Sequence, residues 1–163
     1  MSTPDDFDQI LESLDRELGA MAGNEEKLAA SLDVARRAGD AERAFILVKG
    51  DGDEEFRAVA THGIDGSTLW TTGEISQTIV RKVFDEGEAI ISHNAMVDPR
   101  FSETTSVVLS GLRSVLAAPF KSEGTVSALL YLDNRLQSGA FTQQHLDLIR
   151  RITSRVSRRM TST

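Results

Sequence analysis

The sequence predicts an α+β fold, an antiparallel sheet of five to six strands sandwiched between helices in three layers, α/β/α. Three observations predict it. Apolar residues recur at steps of three and four near both chain ends, which is helical spacing. The middle of the chain holds short runs rich in strand formers, bounded by Gly, Asp and Ser. Those runs follow one another mainly through hairpin-length links, so neighbouring strands are expected to be antiparallel. The order of elements reads ααββαβββα. Helices at the two ends are expected on one face of the sheet, and a central helix with a long loop on the other. At 163 residues the chain is one domain. Within it, residues 1–40 form helices that pack on the sheet or dimerise, 41–141 form the sheet, central helix and long loop, and 142–163 form the last helix.

Phe7, Leu11, Leu14, Leu18 and Met21 place a seam along the first helix, which Gly23 and Asn24 interrupt. A second helix is expected over 25–38, with Leu28, Ala29, Leu32 and Ala35 or Val34 on one face and Gly39 as a C-cap that uses positive φ. Strands are expected at 44–49 and 56–62, joined through Gly50-Asp51-Gly52-Asp53 as a hairpin. The central helix starts behind a Ser76 N-cap, carries Ile79, Val80, Val83 and Phe84 on its inner face, and ends at Gly87. A short strand at 89–92 leads into a long connection over 94–111, which a compact domain rarely carries without a use. Strands at 114–120 and 125–132 have nearly continuous apolar content, as strands buried on both faces require. Thr142 is a natural N-cap for a final helix with Leu146, Ile149, Val156 and Met160 along its stripe.

Composition removes several chemistries. With no cysteine, disulfides, thiolate metal sites, thiol nucleophiles and thioether-linked chromophores are excluded. A formal charge of −7 repels nucleic acid and anionic lipid over the surface as a whole. Charge is also polarised along the chain: acids dominate the first twenty-six residues, whereas Arg150, Arg151, Arg155, Arg158 and Arg159 crowd the last fourteen. Opposite charge at the two ends favours packing the end helices side by side. The arginines read as a solvated helix face ahead of a nucleic-acid patch, so direct nucleic-acid binding is not expected. No apolar run is long enough to span a bilayer, and the first residues lack the pattern of a secretory leader, so no membrane association and a cytoplasmic location are expected.

Catalytic signatures are missing. There is no Gly-x-Ser-x-Gly elbow, and no phosphate-cradling glycine motif. His62, His93 and His145 fall in separate elements without helical i, i+4 spacing, so no metal site is expected. An enzyme is therefore not expected. What remains is a pocket in which the loop over 92–111 and the helix from Ser76, with Ile79 facing inward, close over the sheet. Asn94, Arg100, Phe101 and Arg113 supply a cation, an apolar wall and hydrogen bonds, and Trp70 offers a stacking surface. The alternative for Asp98-Pro99-Arg100-Phe101 is a rigid turn whose Phe anchors the loop and whose Arg is solvated. The end helices suggest a homodimer, because the seam of Phe7, Leu11, Leu14 and Leu18, with Ile149 and Val156, is satisfied by a second subunit as well as by the chain's own sheet.

From Glu74 onward the text EISQTIVRKVFDEGEAIISHNAMVDPRF, then SVVLSGLRSVLAAPF, then SALLYLDNRLQSGAFTQQHLDLI resembles the GAF domain family. The resemblance spans about residues 41–159 and is similar in texture to the GAF domains of bacterial transcription activators, cyclases and kinases. It implies a sensory module that binds a small molecule over its sheet, controls an output domain or a partner regulator, and often dimerises through its terminal helices. It adds Ser106, at the start of the SVV segment, to the ligand-facing residues. Some family members bind nothing and serve as dimerisation scaffolds. Departures narrow the ligand: no cysteine is present for a bilin, and the Asn-Lys-Phe-Asp-Glu pattern of cyclic-nucleotide binders is not reproduced. Any ligand is expected to be a non-covalent small molecule. Ala128 stands where many relatives carry glycine, and its methyl is expected to narrow the pocket.

Overall fold

The computed structural model describes residues 4–50, 55–64, 77–100 and 114–160. The elements are α1 (Pro4–Gly19), α2 (Asn24–Gly39), β1 (Arg43–Lys49), β2 (Phe56–His62), α3 (Gln77–Glu86), β3 (Ile90–Ser92), β4 (Ser114–Ser122), β5 (Thr125–Asn134) and α4 (Gln143–Arg159). The strands form one antiparallel sheet in the order β2-β1-β5-β4-β3. The predicted α+β sandwich is the observed one.

Alternation along the strands divides the core in two. Ala44 and Ile46 of β1, Leu116, Ala118 and Phe120 of β4, and Ala128, Leu130 and Leu132 of β5 point towards α2 and α4. Phe45, Leu47, Val115, Ala117, Leu129 and Tyr131 point the other way and meet Ile79, Val80, Val83 and Phe84 of α3. On the first side α1 packs chiefly across α2 and α4, so the helical layer there is two deep. Phe7, Leu11, Leu14 and Leu18, together with Ile149 and Val156 of α4, are buried in that layer. The six seam residues thus lie inside the chain's own core. The reason is local: two heptads of apolar side chains are too short to stand alone and find a groove within reach.

Opposite charge at the two ends does bring α1 and α4 together. Asp15 Oδ2 lies 2.7 Å from Arg155 Nη1, and the wider pairs Asp8–Arg151 and Asp15–Arg159 are each 3.7 Å apart. Lys27 of α2 closes the end of α4, its Nζ donating to the Arg159 carbonyl at 2.7 Å.

Three local readings change. Gly39 is helical, and the left-handed residue is Asp40 (φ 49°, ψ 48°). Gly39 is buried against Leu132 and Phe141, where a Cβ would make an ordinary contact at 3.5 Å. Ala128 faces the helical layer opposite Phe120 and Val48, so its methyl fills the core under α2 and α4 and does not narrow the α3 side. Gly63, read only as a loop glycine, is required: at φ +73° a Cβ would lie 2.5 Å from the Glu42 carbonyl oxygen. Gly87 does end α3 at positive φ, and Thr142 does cap α4. Both sheet edges are blunted, β3 by its length of three residues and β2 by a bulge at Val59, where Ile46 pairs Ala60 but Leu47 pairs Ala58.

Candidate functional site

One row of residues crosses four strands at a single end of the sheet: Arg43 in β1, Asp133 in β5, Val115 in β4 and Ser92 in β3. Arg43 and Asp133 stand opposite each other on the α3 face, two residues from Phe45 and Tyr131 on the same face. Arg43 Nε donates to Asp133 Oδ1 at 2.8 Å and its Nη2 to Oδ2 at 2.6 Å, a bidentate fork. The Tyr131 hydroxyl donates to the same Oδ2 at 2.8 Å, and its ring stacks on Phe45 with centroids 4.3 Å apart. All three polar residues are buried, with at most 1% of their surface exposed.

The electrostatics follow from that burial. Loss of water pushes the Asp133 carboxyl above its ordinary range, against the pull of the Arg43 fork and the Tyr131 hydroxyl. Burial also pushes the Tyr131 phenol well up, and the neighbouring carboxylate adds to it. Burial opposes the Arg43 charge, but the bonds to Asp133 outweigh it and the guanidinium is held more firmly protonated than in water. The network is an ionised pair capped by a neutral phenol.

Around it lies a second ring of polar contacts. The Glu42 amide donates to the Asp133 carbonyl, and the Glu42 carboxylate accepts from the backbone and Nε of Arg135, each at 3.0 Å. Ser114 Oγ donates to Gln137 O at 2.6 Å and accepts from the Ala140 amide at 3.0 Å, which ties the start of β4 to the turn before α4. Beyond β3, Ser92 Oγ donates to Asp98 Oδ2 at 2.7 Å. Arg100 forks onto Asp98 and reaches the Ile91 carbonyl at 2.8 Å. Those bonds, the Arg100 side chain first, hold the Asp98 carboxyl well below the usual carboxylate range.

Of the residues expected to face a ligand, Trp70, Ser76, Phe101, Ser106 and Arg113 lie outside the described residues. Ile79 is fully buried between α3 and the sheet, as its inward position required. Asn94 builds its own turn, Oδ1 accepting from the Met96 amide at 3.2 Å. Arg100 is exposed and bonds to Asp98 and to the Ile91 carbonyl. Among the described residues, no group of three His, Cys, Asp or Glu is placed to hold a metal ion, and no helix is long and apolar enough to cross a membrane.

Sequence reasoning missed Arg43 and Asp133. Their signal was present: an acid ending the apolar run Leu129–Leu132, and a base opening the apolar run of β1. Neither charge has a reason to adjoin such a run unless it has a partner.

A sheet of this order, with α2 and α4 on one face and α3 on the other, defines an α/β/α sandwich domain. The chain belongs to the GAF domain family, whose model matches residues 24–160. Its fold is similar to the GAF domain of a phosphoenolpyruvate-protein phosphotransferase from Coxiella burnetii (TM-score 0.74, 17% identity, 96% of this chain and 94% of that one). It is similar to the corresponding Acinetobacter domain as well (TM-score 0.72, 16% identity, 98% and 93%). A 64-residue stretch, 39% of this chain, is 31% identical to part of hybrid signal transduction histidine kinase G of Dictyostelium discoideum. The matched stretch spans 2% of that relative's length.

Proposed function

We propose that this GAF domain is a sensory module of signal transduction that recognises a non-covalent small molecule at the Arg43–Asp133 end of the α3 face. It controls an output domain or partner regulator, including regulators of transcription, from the cytoplasm. The observation that carries the reading is the buried network of Arg43, Asp133 and Tyr131. A buried ion pair is a poor route to stability, because well-packed apolar residues of the same volume do as well or better. Buried titratable groups held by specific partners cluster at functional sites. Location supports the same reading. The segment after Ile64 and the one entering β4 at Ser114 both join the described chain at this end of the sheet, as does the Ser92–Asp98–Arg100 turn.

Binding is favoured over catalysis, because the described hydroxyls that meet a carboxylate, Ser92 on Asp98 and Tyr131 on Asp133, meet one already held by an arginine, which makes it a weak base. Direct contact with nucleic acid is outside the proposal, since Arg151, Arg155 and Arg159 are engaged by Asp8 and Asp15 of α1. A second reading, a ligand-free scaffold, is favoured by one observation: Ile79, Val83, Val115 and Ala117 are fully buried, so the described part of the α3 face is closed.

A thermal-shift screen of small metabolites, with native mass spectrometry on any hit, separates the two. The sensory reading expects a hit whose shift disappears in Arg43→Met/Asp133→Leu, a variant that keeps the core filled. A hit that stabilises both proteins equally places the ligand away from Arg43 and Asp133 and overturns the proposed site, and a screen without hits supports the scaffold.

A further inference from the structure

The helical layer over α2 and α4 stops short of one edge of the sheet. α4 packs on β4, and beyond it β3 turns only Ile91 to that side, with Ala89 just before the strand. In the register that pairs Ile90 with Ala117, Ala89 lies opposite Ala118, and both face the helical layer. Two methyl groups stand where larger side chains would fill the space. A cleft of about 300 Å³ remains between them and the flank of α4.

Polar groups converge on that cleft from three elements. Arg150, Thr153 and Ser154 line it from α4, Lys121 from the end of β4, and Glu88 from the link between α3 and β3. Lys121 Nζ donates to the Gly87 carbonyl at 2.9 Å, which fixes the ammonium at the rim and leaves two of its protons for other acceptors. Thr153 is buried, and its hydroxyl donates to the Arg150 carbonyl at 3.1 Å, so its oxygen is still able to accept.

The charges of this cleft are not spent on one another. Among the described residues, the side chains of Arg150, Glu88 and Ser154 have no hydrogen-bond or ion-pair partner, and Lys121 bonds to a carbonyl although the carboxylate of the next residue, Glu88, lines the same cleft. The contrast with the rest of the surface is plain, since Arg57 takes Glu25, Arg81 takes Glu55 and Arg135 takes Glu42. Opposite charges kept apart across a cleft are completed by a molecule that carries both.

We infer that this cleft binds a small zwitterion, a free amino acid, between α4 and the start of β3. Its carboxylate meets the Arg150 guanidinium, with Lys121 Nζ and the Ser154 hydroxyl as further donors, and its ammonium meets Glu88. Ala89, Ala118 and the Thr153 oxygen form the floor beneath it. A simple anion fits less well because Glu88 repels it, and a simple cation fits less well because Lys121 and Arg150 do. The volume lies at the low end of the range of ligand pockets, which suits a molecule of this size. The cleft is on the opposite face of the sheet from Arg43 and Asp133, so the inference does not rest on the site proposed there.

The test is a titration of the ¹⁵N-labelled chain with each of the standard L-amino acids, read from the amide resonances of Gly87, Ala89, Thr153 and Ser154. At least one amino acid is expected to move these amides saturably. Arg150→Gln and Glu88→Gln are each expected to weaken that binding about tenfold, the loss of one charge-assisted contact, and Arg43→Met/Asp133→Leu is expected to leave it unchanged. Arg150 and Glu88 are exposed, and amide spectra that match the wild type away from the cleft show that the variants have folded. No saturable movement with any amino acid overturns the inference. Binding that Arg150→Gln weakens but Glu88→Gln leaves alone or tightens also overturns it, and makes the cleft a plain anion site. Binding lost in Arg43→Met/Asp133→Leu and kept in Arg150→Gln overturns it as well, because the amino acid then sits on the α3 face.

Discussion

The two faces of the sheet are built from alternate residues of the same strands, yet they are filled with different chemistry. On the side of α2 and α4, β1, β4 and β5 contribute Ala44, Ile46, Leu116, Ala118, Phe120, Leu130 and Leu132, all apolar. On the α3 side the same strands contribute Phe45, Leu47, Val115, Ala117, Leu129 and Tyr131, and then an arginine and an aspartate at one end. Among the described residues, the strand side chains named on both faces are buried. The contrast separates what the fold needs for stability from what it carries in addition.

The largest effects should come from breaking each face in its own way. Phe120→Ala removes a fully buried ring under the helical layer and is expected to cost about 4 kcal/mol in denaturant unfolding. Asp133→Ala is expected to cost a similar amount, about 3–5 kcal/mol, for a different reason: it leaves the Arg43 charge buried without its carboxylate. The double replacement Arg43→Met/Asp133→Leu tells the two apart. It should recover most of that loss, ending within about 1 kcal/mol of wild type or above it, whereas no polar substitution recovers Phe120→Ala. A double variant as unstable as Asp133→Ala would mean that the ion pair is structural and that the faces differ less than their composition says.

Tyr131→Phe is a gentler probe of the same network. It keeps the stacking on Phe45 and removes one hydrogen bond to Asp133 Oδ2, for an expected loss of about 1 kcal/mol or slightly more, the acceptor being charged. Equal stability of the two proteins would show that the phenol contributes nothing to holding the carboxylate.

The helical side was the more legible of the two in the sequence. Seams at 3.6-residue spacing identify α1, α2, α3 and α4 without knowledge of their partners, because the period belongs to one element alone. Strand runs identify β1, β2, β4 and β5 on similar grounds. The site was less legible, because Arg43 and Asp133 lie 90 positions apart and their meaning is a pairing register, which no single strand encodes. Ala128 shows the same limit: its residue type was readable, but the face it serves depends on register. Asp40 shows another: by residue type Gly39 is the natural left-handed residue, but α2 runs through it and the left-handed turn falls on Asp40.

The smallest expected effect lies where the helical layer begins. Thr142 and His145 form a capping box at the start of α4, Thr142 Oγ1 accepting from the His145 amide at 3.2 Å and His145 Nδ1 accepting from the Thr142 amide at 3.1 Å. Only a neutral imidazole accepts that bond, and a cation at a helix N-terminus also opposes the dipole. Burial lowers the His145 pKa in the folded chain below its ordinary 6.5. The unfolded chain therefore binds the proton more readily, and stability falls as pH drops from about 6.5 towards the lower folded value, then levels off for this group. Unfolding followed by urea at closely spaced pH values should show that slope in the wild type. His145→Gln keeps an acceptor for the Thr142 amide and should flatten the slope while costing little at pH 8. A slope of equal size in His145→Gln would assign the titration elsewhere, and would leave the apolar face with no pH-sensitive joint at the head of α4.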